Sequence, residues 1–175
     1  MNSLFKSCKV FLLLILIQQT ATAQTDHIGE IKALQAHPRI LMLKGEEANI
    51  QLSISKDSVW ANTQQAIINE SDRLISIAPV QRIQIGRRLL DKSREALRRL
   101  FFLSYAHRTT GDKKYLDRAE KEMLAIAGFS DWNPSHFLDV AEMTMAVAIG
   151  YDWLYNDLSA ASKSIIKEAI LKKGL

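Results

Sequence analysis

The sequence predicts an all-α protein built of helical hairpins in layers, and three observations carry that expectation. From Gly45 onward no alternating strand pattern of useful length occurs. Helices polar on most of their faces flank one, over residues 134–155, that is apolar on nearly every face. Breaks and capping residues separate these segments, at Pro79, at Thr109-Thr110-Gly111 with Asp112, at Gly128 and at Ser159. A helix with so little polar surface must be surrounded by other elements. Residues 134–155 are therefore expected in an inner layer, with amphipathic neighbours outside.

The first 23 residues read as an address. Lys6 and Lys9 precede an unbroken apolar run over residues 10–17, and Ala21-Thr22-Ala23 supplies small residues for cleavage before Gln24. The run is too short to span a bilayer comfortably. The single cysteine, Cys8, stands ahead of that run, where a lipoprotein cysteine would follow it. A mature chain over 24–175 is thus expected in the periplasm or outside the cell, without lipid anchor, stable membrane insertion or disulfide. Its stability must come from an ordinary core, which about 150 residues suffice to build. Without Lys6 and Lys9, 21 basic groups face 19 acidic ones, a balance that gives no pointer to nucleic acid.

A dozen polar residues lead to His37-Pro38-Arg39-Ile40-Leu41, read as an extended segment or loop because proline disfavours helix before it. Residues 46–55 form a weak helix. Residues 58–77 form a better one, with Ser58 as cap, a loose apolar face through Val59, Ala66, Ile67, Leu74 and Ile77, and Pro79 as terminator. The helix over 87–107 is charged at first and apolar all round from Leu100 to Ala106. After Asp112 comes an amphipathic helix with Tyr115, Leu116, Ala119, Met123, Ile126 and Ala127 on one stripe, which Gly128 is expected to stop in the left-handed conformation. Asn133 as cap and Pro134 at the first position open the apolar helix. Ser159 starts the last helix, with Ile165, Ile166, Ala169 and Ile170 inward and Gly174 as its end.

Candidate chemistry gathers at the mouth of the apolar helix. Trp132, Asn133, His136 and Phe137 form a set in which aromatic faces stack on sugars while amide and imidazole bond hydroxyls or carboxylates. The competing reading makes Trp132 a hydrophobic staple and Asn133 a cap only. Asp139 and Glu142, three apart on one helix face, suit either a carboxylate pair for glycoside hydrolysis or a dipole-favoured acid and a helix-packing hydrogen bond. His136 and Asp139 have the spacing of two metal ligands, but no further His or Cys joins them, so no metal and no cofactor are expected. Arg82, Arg87, Arg88, Lys92, Arg94, Arg98 and Arg99 crowd one segment, interleaved with Asp91 and Glu95. They suit a sulfated or uronic-acid glycan or, equally, a solvated helix.

His37-Pro38-Arg39-Ile40-Leu41, Gly86-Arg87-Arg88-Leu89-Leu90, Phe102-Leu103-Ser104-Tyr105-Ala106, Thr110-Gly111-Asp112-Lys113-Lys114-Tyr115-Leu116 and the stretches over 130–143 and 148–155, in that order, resemble the heparinase II/III-like polysaccharide lyases. The resemblance covers nearly all of the mature chain. It implies the N-terminal part of an incomplete (α/α) toroid, with the family's β-sandwich domains absent, and an acidic polysaccharide as partner. It also implies cleavage of uronic-acid-containing, heparin- or heparan-sulfate-like glycans by β-elimination. That reaction needs a neutraliser for the uronate carboxylate, a base for the C5 proton and an acid for the leaving oxygen. In the family an Asn or Glu, a His and a Tyr resemble these roles. They are expected beyond Leu175, so no catalytic role is carried onto Tyr105, Tyr151 or His136. Trp132, Asn133, His136, Phe137 and Glu142 are the expected substrate contacts. A toroid glycoside hydrolase and a non-catalytic glycan-binding or scaffolding module are the alternatives.

Overall fold

The computed structural model describes residues 34–175, and the expected signal segment with its expected cleavage point lies outside that range. Among the described residues there are six α-helices and no strand: α1 (Glu46–Lys56), α2 (Ser58–Ile75), α3 (Leu90–Thr110), α4 (Lys113–Ala127), α5 (Phe137–Leu154) and α6 (Ala160–Ala169), which runs into a π turn, Ile170–Gly174. The all-α expectation holds. None of these helices is long and apolar enough to cross a membrane.

Side-chain contacts fix how the helices run. The Ser93 hydroxyl donates to the Asp139 carbonyl at 2.8 Å near the starts of α3 and α5, and the Phe101 and Trp153 rings meet at 5.1 Å further along both helices. α3 and α5 are therefore parallel neighbours. α2 runs against α3, since Ser71 reaches the Phe102 carbonyl and Tyr105 reaches Gln64. α4 runs with α2, through Tyr115 to Asp72 at 2.8 Å and Arg118 to the Leu74 carbonyl at 3.0 Å. Lys173 in the π turn donates to the Ala127 carbonyl, which brings the end of α6 to the end of α4. One layer thus holds α3 and α5, and the other α2, α4 and α6.

Between the layers Leu74, Leu100, Leu103, Met123, Ile126, Met143, Ala146, Val147, Leu154 and Ile166 are fully buried. Gly150 lets α5 approach α4 closely, because a Cβ there would stand 2.8 Å from the Met123 sulfur. A buried ionic knot closes the loop after α2. Glu122 accepts from the Val80 amide at 2.7 Å and pairs with Arg118 at 2.5 Å, while Arg118 and Arg99 donate to the carbonyls of Leu74, Ile77 and Ala78.

Several local expectations are corrected. Asp57, not Ser58, caps α2, accepting from the Val59 amide at 2.8 Å. α3 begins at Leu90 rather than Arg87, since a tight turn bridges Ile85 and Arg88 and a carboxylate from α5 takes the Leu89 amide. It runs on to Thr110 because the Thr109 and Thr110 hydroxyls bond back to the carbonyls of the preceding turn. Gly128 is right-handed, with φ −76°. What it supplies is room, since a Cβ would lie 3.3 Å from the Ala125 carbonyl oxygen. Asn133 is not the cap of α5. It has φ 64°, and the helix starts only at Phe137, with His136 in the cap position. Asp112 and Ser159 cap α4 and α6 as expected, accepting from the amides of Lys114 and Ser162.

α5 is buried along Val140, Met143, Val147 and Leu154, yet Phe137, Leu138 and Met145 are exposed. The expectation that it is surrounded on every side is corrected on that flank. α3, α4, α6 and the π turn cover the rest.

Candidate functional site

The parallel starts of α3 and α5 are joined by one carboxylate. Asp139, fully buried, accepts from the Arg88 guanidinium at 2.8 Å, the Leu89 amide at 2.7 Å and the Asn133 amide at 2.6 Å. Burial by itself would raise its pKa. The Arg88 pair and the two N–H donors outweigh burial and hold the carboxyl at about 2. Asn133 is equally committed. Its Nδ2 also donates to the Arg87 carbonyl at 2.8 Å, while its Oδ1 accepts from Gln84 and Ser135. Arg82 reaches in to Asp131, whose carboxylate accepts from the Asn133 backbone N–H and is lowered in pKa chiefly by Arg82. The left-handed Asn133 backbone is held by this mesh.

The five expected substrate contacts therefore separate. Trp132 is in the core, with no exposure, and its indole N–H donates to the Ile126 carbonyl at 3.2 Å. No ring face is offered to a sugar, which favours the staple-like reading. Asn133 is buried with its amide saturated and offers nothing to a ligand either. The other three reach the surface. Phe137 is 83% exposed. His136 is half-buried, its Nδ1 at 3.0 Å from the Ser135 hydroxyl and its other nitrogen without a partner among the described residues. Glu142 meets Arg94 at 3.3 Å.

Around them the arginine run divides. Arg98 and Arg99 are spent on Glu70, Glu95 and the Ala78 carbonyl. Glu70 is held at about 2, chiefly by Arg73 and then Arg98 against the opposing effect of burial. Arg87 is exposed and outside any ion pair among the described residues, and Arg94 is mostly exposed. Arg87, Arg94, His136, Phe137 and Glu142 thus reach the surface around the joint starts of α3 and α5, with Arg94 paired to Glu142 and one open aromatic ring, a rim whose unpaired charge is cationic. Such a rim can bind an anion and stack an apolar ring face. Asp139 cannot serve it as a proton donor, because the carboxyl stays ionised at neutral pH and both its oxygens are engaged by buried donors. Asp139 and Glu142 therefore do not act as a hydrolytic pair. Asp139 is likewise unavailable as a partner for His136 on a metal, and no cluster of three potential ligands is present among the described residues.

The second assembly was not legible as a unit in the sequence. At the far end of α5, Asp152 accepts from the amides of Arg39 and Ile40 at 2.9 and 3.1 Å and from His37 Nδ1 at 2.5 Å. Trp153 donates to the Ile40 carbonyl, Asn156 to the His37 carbonyl, and the His37 ring stacks on Tyr155 at 4.0 Å. Tyr151 approaches the same imidazole edge-on. This brings a His and two Tyr together, a juxtaposition that helical spacing did not suggest. The pair is structural, since His37 Nε2 faces the Arg39 guanidinium, a pure donor, and Nδ1 faces Asp152. Neither nitrogen is left to move a proton. The signal that could have found this hook is the repeated pairing of a charged or polar residue with an aromatic, in His37-Pro38-Arg39 and in Tyr151-Asp152-Trp153.

No family model matches this chain, and no curated protein matches it significantly.

Proposed function

We propose that this chain forms the N-terminal part of an incomplete (α/α) toroid in a secreted or periplasmic polysaccharide lyase. Its substrate would be an acidic, uronic-acid-containing glycan of the heparin or heparan sulfate kind, cleaved by β-elimination. The observation that carries the reading is the rim at the joint start of α3 and α5. There Arg87 has no ion pair among the described residues, Arg94 is only weakly neutralised by Glu142, and the Phe137 ring is exposed at the start of α5. Guanidinium forks match carboxylate and sulfate oxygens, and the Phe137 ring can pack on the apolar face of a pyranose.

Two further features support it. The parallel pair α3 and α5, backed by α2, α4 and α6, suits the inner and outer helices of such a toroid. The motifs that carry the family resemblance also meet in pairs. The 86–90 segment locks onto Asn133 and Asp139, and the 37–41 segment locks onto Asp152 and Trp153. These residues hold the fold, so the resemblance supports architecture first and activity through it. The rim positions a substrate, while base and acid for C5 proton removal and leaving-group protonation are expected on residues outside this segment.

The deciding experiment incubates the protein in its natural length with heparan sulfate, hyaluronate, alginate and chondroitin sulfate. Release is followed by absorbance of the 4,5-unsaturated uronate. Ultraviolet-absorbing product is expected from at least one glycan. Saturated reducing ends without absorbance would instead establish hydrolysis, and saturable binding without turnover would establish a binding module. That last reading has an observation in its favour, since the only His–Tyr cluster among the described residues has both imidazole nitrogens occupied.

A further inference from the structure

Far from the cationic rim, a groove of about 440 Å³ opens beside α1, α2 and the C-terminal halves of α3 and α5. Its size falls within the roughly 300–1,000 Å³ typical of small-molecule sites. Trp60, Phe101, Tyr105 and Trp153 line it together with Glu46 and Asn49. The heteroatoms of two of these aromatics are turned away into the protein. Trp153 donates to the Ile40 carbonyl at 2.9 Å and Tyr105 to Gln64 at 2.7 Å. What they leave to the groove is ring surface.

Trp60 is the unusual member. It is 50% exposed and also lines a second hollow of about 160 Å³ with Val59 and Thr63, so open space lies to more than one side of the indole. Tryptophan is highly buried on average, because its large apolar face gains most from leaving water. A half-exposed indole at the lip of a groove is a platform without a partner among the described residues.

The polar groups at the same lip are few and partly free. Glu46 accepts the Leu43 amide through one oxygen at 2.6 Å, and its other oxygen has no partner among the described residues. The Asn49 side chain likewise has no partner among them, whereas Ser53 is turned back to the Asn49 carbonyl. Glu46 is the only charged residue lining the groove. The neighbouring cation, Arg108, lies over the Trp153 ring at 5.3 Å and is spent on Glu47 and on the carbonyls of Met42 and Leu43. The groove therefore has the opposite electrostatic character to the rim, and an ionised uronate or sulfate placed there would meet Glu46 without a countercharge.

We propose that this groove is a binding site for an uncharged sugar ring, stacked on Trp60 with its hydroxyls held by Glu46 and Asn49. A pyranose has an apolar C–H face that fits an indole face. Its hydroxyl groups both donate and accept, which matches a carboxylate oxygen beside a carboxamide. The site is independent of elimination chemistry. It gives the protein one end that selects for acidic sugars and another that selects against them.

Isothermal titration and tryptophan fluorescence on the full chain test it, with cellotriose, chitotriose, trigalacturonate and the neutral methyl ester of trigalacturonate as probes. At least one neutral trisaccharide should bind saturably with a fluorescence change, about ten-fold or more tighter than trigalacturonate. Trp60→Ala should abolish that binding and Trp60→Phe should weaken it less. Glu46→Gln should bring the trigalacturonate and methyl ester affinities together. Circular dichroism checks that the variants stay folded, as the half-exposed position of Trp60 leads one to expect. Absence of saturable binding by every neutral probe would overturn the proposal. So would equal affinity of the wild-type protein for trigalacturonate and its ester. A concentration-dependent dimer that Trp60→Ala dissolves would also overturn it, by making the groove an interface between copies of the chain. None of these readouts involves ultraviolet-absorbing product, so the outcome stands apart from that of the lyase assay.

Discussion

Replacing Asp139 by Asn tests how the starts of α3 and α5 are held. The two carboxylate oxygens receive donors from three residues, Arg88 at 2.8 Å, Leu89 N–H at 2.7 Å and Asn133 Nδ2 at 2.6 Å. An Asn side chain has one oxygen and one NH2 group. Placed toward Leu89 and Asn133, the NH2 group opposes two donors; placed toward Arg88, it opposes a guanidinium. Either orientation leaves buried donors unmatched and the Arg88 charge without its partner. Breaking a buried pair by removing one charge costs roughly 3–5 kcal/mol. Because the Arg88 side chain is 42% exposed and can turn to water, the lower end applies, about 3 kcal/mol.

The pH dependence supplies a second readout with a fixed sign. Asp139 has its folded-state pKa depressed to about 2 from 3.8. The stabilisation from its charge is therefore fully present above about pH 4 and lost as pH falls toward 2. Screening at Arg88 trims that contribution to about 2 kcal/mol. Urea titrations of wild type and Asp139→Asn, followed by circular dichroism, should show a stability gap near 3 kcal/mol at pH 7 that shrinks markedly between pH 4 and pH 2. Using the difference between the two proteins removes Glu70 and the other carboxylates that titrate in the same range. A gap below about 0.5 kcal/mol at pH 7, or one unchanged down to pH 2, would refute the junction as described.

Other perturbations follow from the same contacts. Ala146→Asp places an unpaired charge between layers where exposure is nil, and should lower stability by several kcal/mol in thermal melts. Trp132→Ala should cost about 3–5 kcal/mol, a core loss seen in the same melts rather than a loss of glycan affinity at constant stability. Asp152→Ala removes the acceptor for the Arg39 and Ile40 amides and for His37, and should raise hydrogen exchange over residues 37–43 well above exchange in the α3–α5 core. Phe137→Ala should change stability by no more than about 0.5 kcal/mol, since the ring is almost wholly in water. If the rim binds an acidic glycan, its affinity measured by titration should fall several-fold in the same variant.

The helices and their order were legible in the sequence because they are set by local periodicity. Tyr115, Leu116, Ala119, Met123, Ile126 and Ala127 all lie on the face that α4 buries or half-buries, and Asp112 caps that helix. The apolar character of α5 likewise foretold its buried stripe, though not the exposed Leu138 and Met145, because hydrophobicity states what a helix can bury and not what is there to cover it. Helix starts at 87 and 134 were misplaced for a related reason. Proline and asparagine favour a helix opening locally, but the Asp139 junction offered Leu89 N–H and the Asn133 amide a stronger, charge-assisted partner 50 and 6 residues away.

The sequence by itself determined composition, helical content, two of the four expected N-caps and the presence of polar and aromatic residues near position 135. Only the tertiary structure decided which of them meet solvent. It turned Trp132 and Asn133 into the core and left His136, Phe137 and Glu142 outside. It also neutralised Arg98 and Arg99 while leaving Arg87 exposed, and tied the 37–41 segment to Asp152 and Trp153 more than 110 residues away. Burial and long-range pairing are properties of neighbours in space. A local pattern fixes the face on which a side chain lies, but not whether another layer arrives to take it out of water or supply its counter-charge.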